Sequence, residues 1–234
     1  MRRLTFVIAT AALLAAAFPG ASRAGGQPGE FDYYALTLSW SPTYCDGQGR
    51  NDRGPQCNGG RPYAFVLHGL WPQYDRGWPQ DCSTRERPWV PQPLIDSMLD
   101  IMPSPKLVIH EYKKHGTCSG LPPEGYFDLA RRLYGQIKIP ERFRQPKDAV
   151  SVSPAEIETE FLKANPDLKP EMISIVCRDA RLTELRICFS RDQRLRACGN
   201  NENQAKLCSS DKVILPPVRT THQSEKRPSG FREK

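Results

Sequence analysis

The chain has 234 residues, a formal net charge of +7 and eight cysteines. Its charge is concentrated at the two ends. The first 24 residues carry three arginines and no acid, and the last 19 carry five basic residues against two acidic ones. The body between them is therefore close to neutral, so charge alone does not indicate a nucleic-acid-binding domain. The roughly 210 residues that follow the first 24 are enough for one hydrophobic core of ordinary size.

The cysteines predict a disulfide-bonded protein. All eight follow residue 24, and an even number in an exported chain predicts four disulfides. A zinc site is the less favoured alternative, because no two cysteines form a CxxC pair. Cys45 and Cys57 bracket a Gly/Asp/Asn-rich loop and are predicted to pair, which removes denatured-state entropy worth roughly 3 kcal/mol. The spacing alone leaves the other pairings open.

The N-terminus has the pattern of a secretory signal peptide over residues 1–24. Two arginines precede an apolar stretch over 4–17, and Ser22-Arg23-Ala24 offers small residues for cleavage after Ala24. A membrane anchor is the less favoured alternative, because this run is shorter than the ~20 residues that a spanning helix needs. The expected location is therefore secreted or periplasmic, with no membrane association.

The first part of the mature body is predicted to contain two strands. Aromatic and aliphatic residues predict a strand over 33–40, and a second apolar run predicts a strand over 63–67. The polar stretch 43–62 between them is predicted to be a long loop that the disulfide holds in place. His68 directly follows the second run and is predicted to stand at the end of its strand, where a rigid element would aim the side chain into a cleft.

Four helices are predicted in the middle of the chain. A short one is expected over 94–102, and a second over 107–115 ends where Gly116 suits the residue past a helix end. Apolar residues at helical spacing predict a third over 124–138. The fourth is predicted to run to about residue 165, because Ser153-Pro154-Ala155-Glu156 has the spacing of a capping box.

The last part of the body is predicted to form an antiparallel pair of strands over 172–177 and 182–189. No repeat or linker divides residues 25–215, so the predicted fold is a single α+β domain with a central antiparallel sheet and flanking helices. Residues 216–234 are polar, proline-containing and basic, and are predicted to be a disordered tail.

The predicted helix over 107–115 carries the most chemistry. In a helix each residue turns about 100° around the axis, which places four side chains on one arc: His110, Glu111, Lys114 and His115. Lys113 falls outside that arc. Two imidazoles, an acid and an ammonium on one face predict a proton-transfer site. Glu111 and Lys114 could instead be a surface ion pair worth ~0.2–0.5 kcal/mol.

Two segments resemble the active-site motifs of the ribonuclease T2 family. Residues 68–72 read HGLWP and match the first motif throughout, and residues 110–116 read HEYKKHG and match the second except that Tyr112 stands where the family has Trp. Residues 36–45 resemble the family's opening strand, and the late cysteine-bearing strands continue the likeness to about residue 215.

This resemblance implies a metal-independent endoribonuclease with no cofactor that acts on single-stranded RNA with low base specificity. It gives His115 the role of base and His68 that of acid, with Lys114 stabilising the phosphorane. Glu111 would assist as a hydrogen-bonding partner or proton carrier, and His110 would hold the phosphate. The products would be 2′,3′-cyclic phosphates and then 3′-phosphates. A monomer with no obligate protein partner is expected.

Trp71 and Tyr74 are predicted to provide faces on which a base stacks. The alternative for Trp71 is a place in the core. The family often has Asp after the Pro of the first motif, and this chain has Gln73, which puts any base preference inferred from that acid in doubt.

The resemblance also pairs the remaining cysteines. Cys82 with Cys118 would tie the loop after the first motif to the end of the second. A nested set around the late strands would follow, with these pairs: Cys177–Cys208 and Cys188–Cys198.

Two other functions compete with this interpretation. A metallopeptidase of the H-E-x-x-H type needs histidines four residues apart, whereas His110 and His115 are five apart. A catalytically silent binding protein on the same fold is the second alternative. It would normally lack one of the paired histidines, and both His68 and His115 are present.

Overall fold

The computed structural model describes residues 26–47 and 54–219. The predicted signal peptide and most of the predicted tail lie outside these residues. Within them, no helix is long and apolar enough to cross a membrane.

The fold is a single α+β domain, as predicted, and it is built on a six-stranded sheet. The neighbouring strands run in the order β2-β1-β5-β6-β3, and β4 pairs with β5. Pairing is antiparallel except between β5 and β6, which are parallel where Arg181 meets Ile214. The strands have these bounds: β1 Tyr33–Trp40, β2 Phe65–Gln73, β3 Val150–Val152, β4 Ile173–Arg178, β5 Arg181–Ser190 and β6 Val213–Leu215.

Seven α-helices accompany the sheet in the described part of the chain. Their bounds are α1 Ser41–Asp46, α2 Pro55–Asn58, α3 Gln92–Met98, α4 Pro105–Lys114, α5 Pro123–Gln136, α6 Pro154–Ala164 and α7 Gln204–Leu207. The four predicted helices correspond to α3, α4, α5 and α6. The capping box is confirmed, because the Ser153 hydroxyl accepts from the Glu156 N–H while the Glu156 carboxylate accepts from the Ser153 N–H.

The predicted loop over 43–62 is partly wrong, because it contains most of α1 and all of α2. Each of these short helices has a proline in its first turn, where the missing N–H leaves no helical hydrogen bond unmade. Cys45 in α1 is bonded to Cys57 in α2, which holds the two helices together.

The second strand is also longer than predicted. β2 begins at Phe65 and continues through the whole HGLWP segment to Gln73, because every residue of β1 has a partner on it. The register shifts between Thr37 and Leu38, whose partners are Gly69 and Leu67. His68 is therefore the extra residue of a β-bulge inside the strand, and the prediction that it stands at a strand end is wrong.

The four disulfides agree with the pairings implied by the sequence. They join Cys45 to Cys57, Cys82 to Cys118, Cys177 to Cys208 and Cys188 to Cys198. With all eight cysteines bonded, the alternative of a cysteine-based zinc site is wrong. The bond between Cys82 and Cys118 fixes the loop after β2 to the turn after α4.

The C-terminal boundary of the body differs from the prediction. Pro216 and Val218 are buried rather than part of a disordered tail. The Trp40 indole donates to the Pro216 carbonyl at 3.1 Å, and the Val218 N–H donates to the Pro146 carbonyl at 2.9 Å. The packed body thus extends at least to Arg219, and the tail predicted after that residue lies outside the described residues.

Candidate active site

The bulge in β2 directs His68 toward the face of the sheet where β5 carries two charged residues. A bulge re-aims a side chain that strict alternation would send elsewhere. The Nδ1 atom of His68 lies 2.9 Å from Oε1 of Glu184, and its Nε2 atom lies 3.7 Å from Oε1 of Glu111. The His68 side chain retains 31% exposure, so its ring is accessible while held between two carboxylates.

Helix α4 delivers the second motif. It begins after Ser104, whose hydroxyl accepts from the Leu107 N–H, and it ends at His115, where φ is −116° and the N–H donates to the Glu111 carbonyl at 2.9 Å. A Cβ on Gly116 would lie 2.4 Å from the Tyr112 ring. Only glycine therefore allows the chain to turn so closely past the helix end.

The four residues predicted to share a face of α4 are exposed to very different degrees. Glu111 is 1% exposed and His115 is 6% exposed, whereas Lys114 is half-buried and His110 is exposed. Lys114 is in no salt bridge with a described residue, and its charge acts on His110, Glu111 and His115. An ammonium beside two imidazoles that no carboxylate of the described residues holds in a salt bridge suits the binding of a phosphate.

Trp71 is the common neighbour of the two motifs. Its indole N–H donates to Oε2 of Glu111 at 2.7 Å. Its ring is stacked on that of His115, with centroids 5.1 Å apart, and meets the edge of the His68 ring at 5.2 Å. The guanidinium of Arg186 lies 4.9 Å from the Trp71 ring centroid. Trp71 thus holds both imidazoles in a fixed relation.

Gly69 makes room for the Glu111 carboxylate. A Cβ at this position would lie 2.0 Å from Oε2 of Glu111 and 2.6 Å from the indole nitrogen of Trp71, both far inside contact distance. Residue 69 must therefore be glycine if the Glu111 carboxylate is to occupy this position.

A chain of charged groups that the sequence did not predict supports His68 from behind. Glu184 accepts from the Nε and Nη2 atoms of Arg186 at 3.2 and 2.9 Å. Arg186 in turn lies 3.7 Å from Glu202, which is hydrogen-bonded to the Tyr33 hydroxyl. Glu184 is thereby oriented, and its hydrogen bond to Nδ1 leaves Nε2 of His68 facing the site.

The two central histidines have opposite electrostatic environments. Burial lowers the pKa of His68, but its hydrogen bond to Glu184 and the charges of Glu111 and Glu184 outweigh this, so the pKa is raised above 6.5. Burial and the charge of Lys114 lower the pKa of His115 to about 3. The Nδ1 atom of His115 is buried with no hydrogen-bond partner among the described residues, so no acceptor there favours the charged ring.

The two buried carboxylates also differ. Burial raises the pKa of Glu111 to about 7, although His68, Trp71 and Lys114 oppose the shift. Burial acts in the same direction on Glu184, but its hydrogen bond to His68 and the charge of Arg186 prevail, and its pKa is lowered. Near neutral pH Glu111 is therefore poised to carry a proton, whereas Glu184 is an anion.

Comparison with known proteins assigns the chain to a family. The model of the ribonuclease T2 family matches residues 31–198, a region that contains both motifs. The chain belongs to the ribonuclease T2 family.

The curated relatives include ribonucleases, and a solved structure shares the fold. A ribonuclease from Aeromonas hydrophila is 46% identical over 136 residues, which cover 58% of this chain and 60% of that relative. A probable ribonuclease from Haemophilus influenzae is 31% identical over 179 residues, covering 71% and 61%. The matches thus span about 60% of the length of these two relatives. An RNase-related protein from Calystegia sepium shares the fold, with a TM-score of 0.65, 22% identity and coverage of 81% of this chain and 99% of that one.

The fold brings most of the predicted site residues together. Five predicted residues surround one site: His68, Trp71, Glu111, Lys114 and His115. His110 is linked to that group through the charges of Lys114 and His68. Tyr74 lies in the loop after β2, and its hydroxyl faces the side where Gly26 and Pro79 meet. No contact found in the described part of the chain joins Tyr74 to either histidine.

Gln73 is buried and held by the protein. Its side-chain carbonyl accepts from the Asn201 amide at 3.0 Å. The T2 position that often carries Asp is therefore occupied here by a side chain that already has a partner.

Sequence reasoning missed Glu184, Arg186 and the spatial role of Gly69. Glu184 and Arg186 lie 116 and 118 residues after His68, so no local pattern links them. A signal was present, because Glu184 and Arg186 stand at alternate positions of a core strand, and opposite charges on the same face of a strand predict an ion pair. No group of three or more His, Cys, Asp or Glu suited to hold a metal ion occurs in residues 26–47 or 54–219.

Proposed function

We propose that this protein is an endoribonuclease that cleaves single-stranded RNA by transesterification, without a metal or another cofactor. One observation carries the proposal: His68 and His115 share Trp71 as a neighbour, yet one imidazole is stabilised as the cation and the other as the neutral ring. Cleavage of RNA needs an acid and a base in the same site at the same pH, and this pair supplies both.

In the first step, neutral His115 accepts the proton of the ribose 2′-OH. The 2′-oxygen attacks the adjacent phosphorus, and the bond from phosphorus to the 5′-oxygen of the next nucleotide breaks. Protonated His68 gives its proton to that leaving oxygen through Nε2, because Nδ1 is engaged by Glu184. The products are a 2′,3′-cyclic phosphate and a free 5′-hydroxyl.

In the second step the roles are reversed. His68, now neutral, takes a proton from water, which attacks the cyclic phosphate, and protonated His115 returns its proton to the 2′-oxygen. The product is a 3′-phosphate. Both histidines end in their starting states, so the cycle needs no further proton donor. DNA lacks the 2′-OH and is not a substrate.

The charge of the phosphorane is met by groups on α4. Lys114 is unpaired among the described residues and is placed to stabilise the added negative charge. The exposed His110 holds the phosphate. Glu111, buried with a pKa of about 7, donates a hydrogen bond to a phosphate oxygen when it is protonated.

Base recognition is proposed to be weak. The Trp71 ring already contacts both histidines and Arg186, so its main role is to position the imidazoles, with stacking of a base limited to what remains of its surface. Tyr74 is the second stacking candidate. Gln73 is engaged by Asn201, which supports low base specificity.

The proposed setting is an oxidising compartment outside the cytoplasm. Four disulfides within one small domain are typical of secreted or periplasmic proteins. We infer that the protein works there as a monomer with RNA as its partner.

A cleavage assay in the presence of EDTA tests the proposal. The purified protein is incubated with a dinucleotide, with long single-stranded RNA and with DNA of the same sequence, and the products are followed by phosphorus NMR. The expected result is a 2′,3′-cyclic phosphate that later becomes a 3′-phosphate, with intact DNA. Activity that disappears with EDTA and returns with a metal ion contradicts the mechanism. Binding of RNA without any product favours a silent binding protein.

A further inference from the structure

A groove with a volume of about 410 Å³ lies against α4, outside the site described above. Helix α4 contributes Ile109 and Lys113 to its wall. At about 100° per residue these two point away from the side that carries Glu111 and His115. Exposed His110 lies between the two sides. The groove and the catalytic centre thus occupy opposite flanks of one helix.

The opposite wall carries an unusually exposed aromatic residue. Trp89 is 70% exposed, whereas its neighbour Val90 is 4% exposed and belongs to the hydrophobic core. Pro88 and Pro91 flank this pair and restrict the backbone on both sides. The indole is therefore held on a stiff, anchored segment with most of its surface in solvent, which is typical of a binding surface.

The groove is also cationic. Arg87 and Lys113 line it together with Trp89, Ile95 and Ile109. Neither cation is in a salt bridge with a residue in the described parts of the chain, and the residues that line the groove include no Asp or Glu. Two uncompensated cations beside an exposed indole are complementary to a nucleotide, which offers a phosphate and an aromatic base.

The segment that leads to Trp89 is tied at its start to helix α4. The Asp81 N–H donates to the Lys114 carbonyl at 2.8 Å, and Cys82 is bonded to Cys118 just beyond the helix. His110 and Lys113 are three residues apart on α4, so their Cβ atoms are about 5–6 Å apart. A strand that passes over His110 can therefore continue to Lys113 and the groove.

We propose that this groove binds an additional nucleotide of single-stranded RNA, outside the two nucleotides joined by the cleaved bond. A base would stack on Trp89, and its phosphate would be held by Arg87 and Lys113. Because every base has a flat aromatic face, such a subsite extends the grip on RNA without selecting a sequence. The inference rests on the proposed function, since it takes single-stranded RNA as the substrate.

Binding of oligonucleotides that cannot be cleaved tests the groove separately from catalysis. The probes are a dimer and a 12-mer of 2′-O-methyl uridylate, which lack the attacking hydroxyl. In Trp89→Ala the Kd for the 12-mer should rise about tenfold relative to wild type, as loss of one stacked base predicts. The Arg87→Ala/Lys113→Ala double variant should also weaken 12-mer binding and reduce its dependence on salt. The ratio of 12-mer affinity to dimer affinity should therefore fall in both variants.

Matched variants control for general effects. Trp89→Phe retains an aromatic face and should keep most of the affinity for the 12-mer. Lys106→Ala removes another exposed lysine of α4 that does not line the groove, and should leave the ratio unchanged.

Two results separate the possible failures. Unaltered 12-mer affinity in both Trp89→Ala and the double variant overturns the groove proposal and would favour a protein as its occupant. If the wild-type protein binds the 12-mer through Trp89 yet cleaves no RNA dinucleotide, the groove proposal stands and the proposed function fails.

Discussion

The two histidines of the site lie in regions that shift the pKa of an imidazole in opposite directions. His68 lies on the sheet, where β5 places Glu184 at 2.9 Å and where 31% of the side chain is exposed. His115 lies at the end of α4, where it is 6% exposed and faces cations rather than anions. The sheet side therefore stabilises an imidazolium, and the helix side stabilises a neutral ring.

This difference shows how one residue type can serve as both acid and base. A free histidine has the same pKa in either role, near 6.5. Here neighbouring groups shift the two pKa values in opposite directions, since the fold supplies an anion to one ring and an ammonium to the other. The proposed roles, in which His68 is the acid and His115 is the base, rest on this difference.

The largest expected effect comes from removing either ring. His68→Phe and His115→Phe should each reduce kcat for a dinucleotide by about 10³-fold or more, because each removes one proton-transfer group. Steady-state kinetics over a range of pH should also show that His68→Phe loses the alkaline limb of kcat/KM and His115→Phe loses the acid limb. Lys106→Ala, which alters an exposed residue of α4, serves as the control. Loss of the same limb in both histidine variants would show that the roles are not separated.

The next largest effect is expected at Gly69, where strand β2 lies against Glu111 of helix α4. In Gly69→Ala the added Cβ would lie 2.0 Å from Oε2 of Glu111, so the carboxylate must move away from His68 and Trp71. A displacement of about 1 Å predicts a loss of about 10²-fold in kcat. Gly135→Ala in α5 is the matched control, because a Cβ there meets nothing within 4 Å. Full activity of Gly69→Ala would mean that the position of Glu111 is unimportant.

A smaller effect should follow when the anion behind His68 is neutralised. Glu184→Gln keeps the shape but removes the charge that raises the pKa of His68, so the acid form is lost at lower pH. At pH values above the pKa of His68, each unit by which that pKa falls reduces kcat/KM about tenfold. The alkaline limb of the pH profile should therefore move to lower pH while the acid limb stays in place. Glu171→Gln, at an exposed position, is the control. An unshifted alkaline limb in Glu184→Gln would show that Glu184 does not raise the pKa of His68.

The last expected difference concerns stability. The pKa of Glu111 is raised from 4.5 to about 7, so the folded protein binds this proton more tightly than the unfolded chain. Its stability then falls as pH rises from 4.5 through about 7. Glu111→Gln should raise the free energy of unfolding above that of wild type by about 3 kcal/mol at alkaline pH, and should have little effect in acid.

Glu184→Gln should behave in the opposite way in the same denaturation experiment. The pKa of Glu184 is lowered, so its charge contributes stability above the ordinary value of 4.5, and this contribution is lost as pH falls through the folded-state pKa. The variant should be less stable than wild type at neutral pH. If both glutamine variants shift stability in the same direction, the proposed difference between the two carboxylates is wrong.

The sequence predicted the helix side of the site better than the sheet side. His110, Glu111, Lys114 and His115 lie within six residues, so a helical repeat was enough to group them. The bulge at His68 could not be predicted, because it depends on the register between β1 and β2. Glu184 could not be linked to His68 for the same reason, since β1 lies between their strands and only the assembled sheet brings them together.

An NMR titration of the histidine side chains from about pH 3 to about pH 9 measures directly whether the two rings differ in pKa. Assignments come from the His68→Phe, His110→Phe and His115→Phe variants. We expect His68 to titrate with a midpoint above 6.5, and His115 to stay neutral until the pH approaches about 3. Coincident midpoints for His68 and His115, or a lower midpoint for His68 than for His115, would contradict this expectation.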